Sequence, residues 1–98
     1  MEKEIAYIFG AILNDPDHKE KFARAEQKLR AEGYIVLNPT VLPQELPYGK
    51  CFPPCFGMID VCDVMYGLTT WVISDGARRE YFYGHSKQKK FRFEANEK

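Results

Sequence analysis

The run Trp71-Val72-Ile73-Ser74-Asp75-Gly76-Ala77-Arg78-Arg79-Glu80 concentrates the residue types best suited to chemistry in this chain. Ser74, Asp75 and Gly76 stand where a strand-end loop enters a helix. A hydroxyl and unpaired backbone amides therefore collect at the positive end of the helix, where an anion can dock. Glu80 falls about one turn further in. Pointed back over the strand ends and partly buried, its carboxylate would serve as a nucleophile or a base. The plainer alternative is that Ser74 or Asp75 caps the helix and Glu80 forms a surface pair.

Other reactive side chains carry weaker patterns. Cys51-x3-Cys55-x6-Cys62, with His18 and His85 elsewhere, has the composition of a metal site but neither a C-x2-C pair nor matched halves, so no metal and no cofactor are expected. Trp71 and Tyr66 could stack on a base or could serve as core lids. Among the basic residues, Arg78 and Arg79 are close enough to the helix start to draw in phosphate, while Lys87, Lys89, Lys90 and Arg92 interleave with glutamates. Asp63 precedes a strand at its amino end, away from the side on which open sheets bind ligands, and reads as a structural turn or cap.

The elements that must position these groups alternate. Ile5-Ala6-Tyr7-Ile8-Phe9 is a short apolar run closed by Gly10, the pattern of a central strand covered on both faces. After Asn14-Asp15-Pro16, Asp17 with Glu20 suggests a capping box for a helix from near His18. Phe22, Ala25 and Leu29 share a face of that helix, and Gly33 supplies its left-handed stop. Tyr34 to Leu37 reads as a second buried strand, followed by a proline-rich loop with Pro39, Pro43, Pro47, Pro53 and Pro54. A short helix from Pro54 to about Cys62 would place Phe56, Ile59 and Cys62 on one face. Val64 to Leu68 predicts a third strand, Thr69 to Asp75 a loop, Gly76 to about Lys87 a helix and Phe91 to Phe93 a last strand. This β-α-β-α-β-α-β order implies a parallel sheet in a three-layer α/β/α domain.

The 98 residues carry 14 Lys+Arg against 14 Asp+Glu, a formal net charge of +0. That balance argues against a DNA or RNA polymer bound through bulk charge. With 45% hydrophobic residues, one core and one domain spanning 1–98 are expected, with a frayed tail over 94–98. No apolar run approaches the ~20 residues of a membrane span. The start Met1-Glu2-Lys3-Glu4 has no signal-peptide pattern, and three cysteines do not suggest a disulfide framework, so a cytoplasmic location is expected.

Several motifs, in order and spacing, resemble the nucleoside 2-deoxyribosyltransferase-like proteins, and within them the DUF4406 group. They are Tyr7-Ile8-Phe9-Gly10, Gly33-Tyr34-Ile35-Val36-Leu37-Asn38-Pro39, Cys62-Asp63 through Leu68, and Trp71 through Glu80. The resemblance implies a flavodoxin-like or Rossmann-like fold and a pocket for a small nucleoside or nucleotide. It also implies that Glu80 attacks the anomeric carbon and that Tyr7 positions it. Gly10, Ala11, Trp71, Ser74, Asp75, Gly76 and Ala77 would then contact substrate. Serine at position 74, where the transferases carry an aspartate, matches the related deoxynucleoside 5′-monophosphate hydrolases and suits a phosphate. By the same resemblance a homodimer or higher homo-oligomer is expected.

Two positions depart from the family pattern. Gly10-Ala11 replaces a common Gly-Pro, and Cys55 falls where the enzymes place the aspartate that passes a proton to the leaving base. A neutral thiol is a poor substitute for that acid. The expectation is therefore an N-glycosidase or deoxyribosyltransferase acting on a nucleoside 5′-monophosphate. The alternative is a catalytically impaired nucleotide-binding or sensing domain.

Overall fold

The computed structural model describes residues 2–97. Seven main elements follow one another: β1 (Ile5–Phe9), α1 (His18–Ala31), β2 (Ile35–Leu37), α2 (Phe52–Val61), β3 (Val64–Gly67), α3 (Asp75–Ser86) and β4 (Lys90–Phe93). The four strands form one parallel sheet in the order β2-β1-β3-β4. Because β1 connects outward to β2 on one side and pairs with β3 on the other, the topology reverses beside β1. A crevice opens there at the carboxyl ends of the strands.

Alternation along β1 divides the interior into two cores. Ala6 and Ile8 face α1 and pack with its Phe22, Ala25 and Leu29. Tyr7 and Phe9 face the opposite layer, where Cys55 and Ile59 of α2 and Ala77 of α3 meet them. A single strand thus sends its tyrosine toward the two helices that bound the crevice.

The expected elements are present, with several corrections. The α1 helix starts at His18, but the Asp17 side chain makes no capping bond. Asp15 does the local work, its carboxylate accepting from the Asp17 amide at 3.0 Å and from Lys21 Nζ at 3.0 Å. Gly33 closes the helix with φ +99°, a conformation that glycine adopts without strain. The second strand is an edge rather than a buried strand, and Ile35 is 47% exposed. The α2 helix begins two residues before Pro54 and buries Cys55 and Ile59 rather than the row Phe56, Ile59 and Cys62. Its Cys62 lies just beyond the helix, and Phe56 stacks on Tyr83 at 4.2 Å. The stretch read as a loop after β3 contains a 3-10 turn, Thr69–Ile73. The proline-rich segment holds two more, Pro39–Val41 and Tyr48–Lys50.

The C-terminal segment, read from the sequence as a frayed tail, makes defined contacts through residue 97; Lys98 lies outside the described residues. A 3-10 turn covers Glu94–Asn96. Arg92 donates to both Glu97 oxygens at 2.8 and 2.9 Å and to Glu32 at 2.8 Å. Paired first with Arg92 and then with Lys28, the Glu97 carboxyl is held down to about 2. Asp63 has the structural role expected of it, accepting from the Ile5 amide at 2.8 Å.

The α3 helix lies close on the sheet because Gly84 has no side chain. A Cβ there would overlap the sulfur of Met65, which is fully buried. Gly84→Ala is expected to lower unfolding stability by about 1–3 kcal/mol, the usual cost of overpacking. Urea denaturation with an unchanged m-value reads it; a variant as stable as the parent would show that Met65 repacks freely.

Candidate active site

The crevice is a cavity of about 490 Å³ lined from the segments that follow β1, β2 and β3 at the carboxyl edge of the sheet. Its walls come from Gly10 to Asn14 after β1, the start of α1, the proline-rich segment, the first turns of α2 and the first turns of α3. Glu80, buried at the foot of α3, lines it.

Tyr7 Oη donates to Glu80 Oε1 at 3.0 Å, a buried bond between residues 73 positions apart. The Cys55 thiol is a close polar neighbour of both. Burial pushes the Glu80 carboxyl up from 4.5 to about 7, partly offset by the donors Tyr7 and Cys55. Burial, then the Glu80 charge, raises the Tyr7 phenol well above its ordinary range, so it remains a donor. The same two causes push the Cys55 thiol up to about 12, and it stays neutral. The result is a desolvated carboxylate fixed by a phenol on one strand and facing a cavity. Such a group needs little reorganisation to act as a nucleophile.

Ser74 precedes α3, and its Oγ accepts from the Ala77 amide at 3.1 Å. The hydroxyl proton remains available to a ligand. Gly76 and Ala77 line the cavity beside it, at the positive end of the helix. Asp75 lines it too, but its carboxylate accepts from Tyr48 Oη at 2.8 Å and from Arg79 Nε at 3.1 Å. These contacts, the Tyr48 bond first, hold its pKa below the ordinary carboxylate value and keep its charge against the wall.

Two expected contacts fall elsewhere. Trp71 does not line the cavity; it packs into the sheet-facing core against Phe9 at 5.7 Å, Tyr81 at 4.8 Å and Phe93 at 5.6 Å. Ala11 is buried, with its amide donating to Thr70 Oγ1 at 3.0 Å, while the neighbouring Gly10 does line the cavity. Gly10 is also required by packing, since a Cβ would come within 2.9 Å of Leu68. Arg78 and Arg79 turn outward, to the Val72 carbonyl and to Asp75. Conversely, Gln44, which nothing in the sequence singles out, lines the cavity, and so does His18, read there only as part of a weak metal composition and as a helix start. Among the described residues no three of His, Cys, Asp and Glu gather as metal ligands, and no helix is long and apolar enough to cross a membrane.

A family model described as "Domain of unknown function (DUF4406)" matches residues 4–93. The chain belongs to the DUF4406 family. No curated protein sequence matches it. Among solved structures it is similar to a 2-desoxiribosyltransferase from Leishmania mexicana, with a TM-score of 0.71 and 19% sequence identity. The match covers 92% of this chain and 63% of that one, so this DUF4406 chain spans less than two thirds of its neighbour's length. The fold is that of the nucleoside 2-deoxyribosyltransferase-like proteins.

Burial of Glu80 has a sign that can be measured. Below about pH 4.5 its carboxyl is neutral in folded and unfolded chains alike and costs nothing. As pH rises toward about 7, the unfolded chain ionises first, so stability falls, and above that value the full cost is present. The shift corresponds to about 3 kcal/mol. Glu80→Gln, which can still accept from Tyr7, is expected to be more stable than the parent by up to that amount above pH 7 and equal to it near pH 4.5. Chemical denaturation at both pH values tests this. A glutamine variant no more stable at pH 8 would mean that the carboxylate is well solvated in the fold.

Proposed function

We propose that this DUF4406 protein is an N-glycosidase acting on a nucleoside 5′-monophosphate, with Glu80 as the nucleophile. The observation that carries the reading is the buried Tyr7–Glu80 bond at the wall of the cavity. The deoxyribosyltransferase-like fold supports it. In this reading an oxygen of Glu80 attacks C1′ as the C1′–N bond breaks, and the bond's electron pair leaves with the base. The base takes up a proton, and water then cleaves the glycosyl ester, freeing the sugar phosphate and restoring Glu80. The phosphate would lie at the start of α3, against the Ser74 hydroxyl and the Gly76 amide.

One specific observation favours a second reading, a domain that binds the nucleotide without turning it over. Cys55 is the neutral neighbour of Glu80, and a thiol pushed up to about 12 is a weak acid for a departing base. Free-base release from ribo- and deoxynucleoside 5′-monophosphates separates the two. Wild type is expected to release base at a rate that rises with pH through about 7 as Glu80 ionises. Glu80→Ala is expected to release none. Nucleotide-dependent thermal stabilisation without release from any substrate would establish the second reading, and turnover by Glu80→Ala would remove Glu80 from the chemistry.

The proposal includes a homo-oligomer that closes the cavity mouth. Leu13 and Ile73 line the cavity yet are 68% and 77% exposed, large apolar side chains without cover in the single chain. Light scattering should give at least a dimer mass, and a monomer mass at micromolar concentration would remove this part of the proposal.

A further inference from the structure

His18 is buried at the cavity wall opposite α3, and its two ring nitrogens have different partners. Nδ1 lies 2.9 Å from the Asp15 carbonyl oxygen, which can only accept, so Nδ1 carries the proton. In the neutral ring Nε2 is then a lone pair. Gln44 Nε2 lies 3.2 Å from it and donates to it. The amide of Gln44 is thereby held with its nitrogen toward His18. Its carbonyl oxygen has no hydrogen-bond partner among the described residues.

A glutamine on an exposed loop is an indiscriminate reader. By turning its amide over, it offers an oxygen to an amino group or an N–H to a keto group at the same place. His18 removes that freedom, since a flipped amide would set its oxygen against the Nε2 lone pair. We propose that His18 positions Gln44 to select nucleotides whose base carries an amino group at purine position 6 or pyrimidine position 4, adenine or cytosine, over their keto counterparts. The inference rests on the nucleotide reading of the cavity. Its place in the fold follows from the sheet order, with phosphate at α3 beyond β3, sugar over Tyr7 on β1, and the base left with the loops that follow β1 and β2.

Two substrate pairs isolate the atom concerned. Adenine and hypoxanthine nucleotides differ in position 6, and cytosine and uracil nucleotides in position 4. Kd values for the four 5′-monophosphates, in ribo and deoxyribo forms, would be measured by calorimetry on the full chain carrying Glu80→Gln, with kcat and KM measured on the otherwise native chain. The amino member of at least one pair is expected to bind about tenfold or more tightly. His18→Ala should reduce that ratio to within about twofold by weakening the amino member and relieving the keto member, a crossing of affinities that loss of fold does not produce. Gln44→Met should lose the discrimination as well, and His18→Ala should have no further effect on the ratio in that background, which shows that His18 acts through Gln44. Binding without discrimination, a preference for the keto member, or an intact ratio in His18→Ala overturns the inference alone. Absence of binding by every nucleotide overturns the reading of the cavity with it.

Discussion

The hydrogen bond between Tyr7 and Glu80 is the contact on which the arrangement of the site depends. It joins the central strand to the third helix across 73 residues in a place that water barely reaches. A carboxylate there is costly, and a phenol alone does not neutralise it, which is why the Glu80 pKa stays raised to about 7. The apolar and aromatic remainder of the second core causes this cost by excluding water and offsets it through its own burial. A strained or desolvated group at an otherwise consistent core is the pattern expected where stability has been exchanged for function.

Alternation on β1 and helical spacing on two helices together converge the site. With Ala6 and Ile8 turned to α1, Tyr7 has to face α2 and α3. On α2, Cys55 and Ile59 are four residues apart and share the buried face, which brings the Cys55 thiol to the same carboxylate. On α3, Ala77, Glu80 and Gly84 form the inward row, and two of the three are small. That smallness lets the helix come close enough for Glu80 to reach Tyr7. The geometry of the Tyr7–Glu80 site and sheet-helix packing are thus one constraint.

Much of this was legible in the sequence because it is local. The apolar runs Ile5 to Phe9 and Val64 to Leu68, the row Phe22, Ala25 and Leu29, and serine six residues before glutamate are short-range patterns with direct structural consequences. What was not legible depended on partners far along the chain. Nothing near Trp71 shows that Phe9, Tyr81 and Phe93 will enclose it away from the cavity. The polar stretch Glu94 to Glu97 resembles a loose end until Arg92 and Lys28 are brought beside it. Asp17 sits in the right place for a cap, yet Asp15, two residues earlier, captures both the Asp17 amide and Lys21. His18 was read as the start of a helix, and only the fold of the proline-rich segment shows that its ring faces Gln44.

The proline-rich segment explains how so small a sheet holds so large a cavity. With β2 at the edge and only three residues long, the sheet itself supplies little wall. Pro39 to Lys50 supplies it with two 3-10 turns and prolines whose fixed φ angles limit the freedom lost on ordering. Asn38 starts the segment, its Oδ1 accepting from the Thr40 amide and hydroxyl while its Nδ2 donates to Glu26 of α1. Tyr48 ends it on Asp75 of α3. The segment is therefore tied at both ends to elements that carry the site, and between those ties Leu42 packs on the second core while Pro43, Gln44 and Glu45 stay exposed. Residues that hold Glu80 belong to the core and resist change, whereas Gln44 and its neighbours sit on a strapped loop whose substitution leaves the sheet untouched.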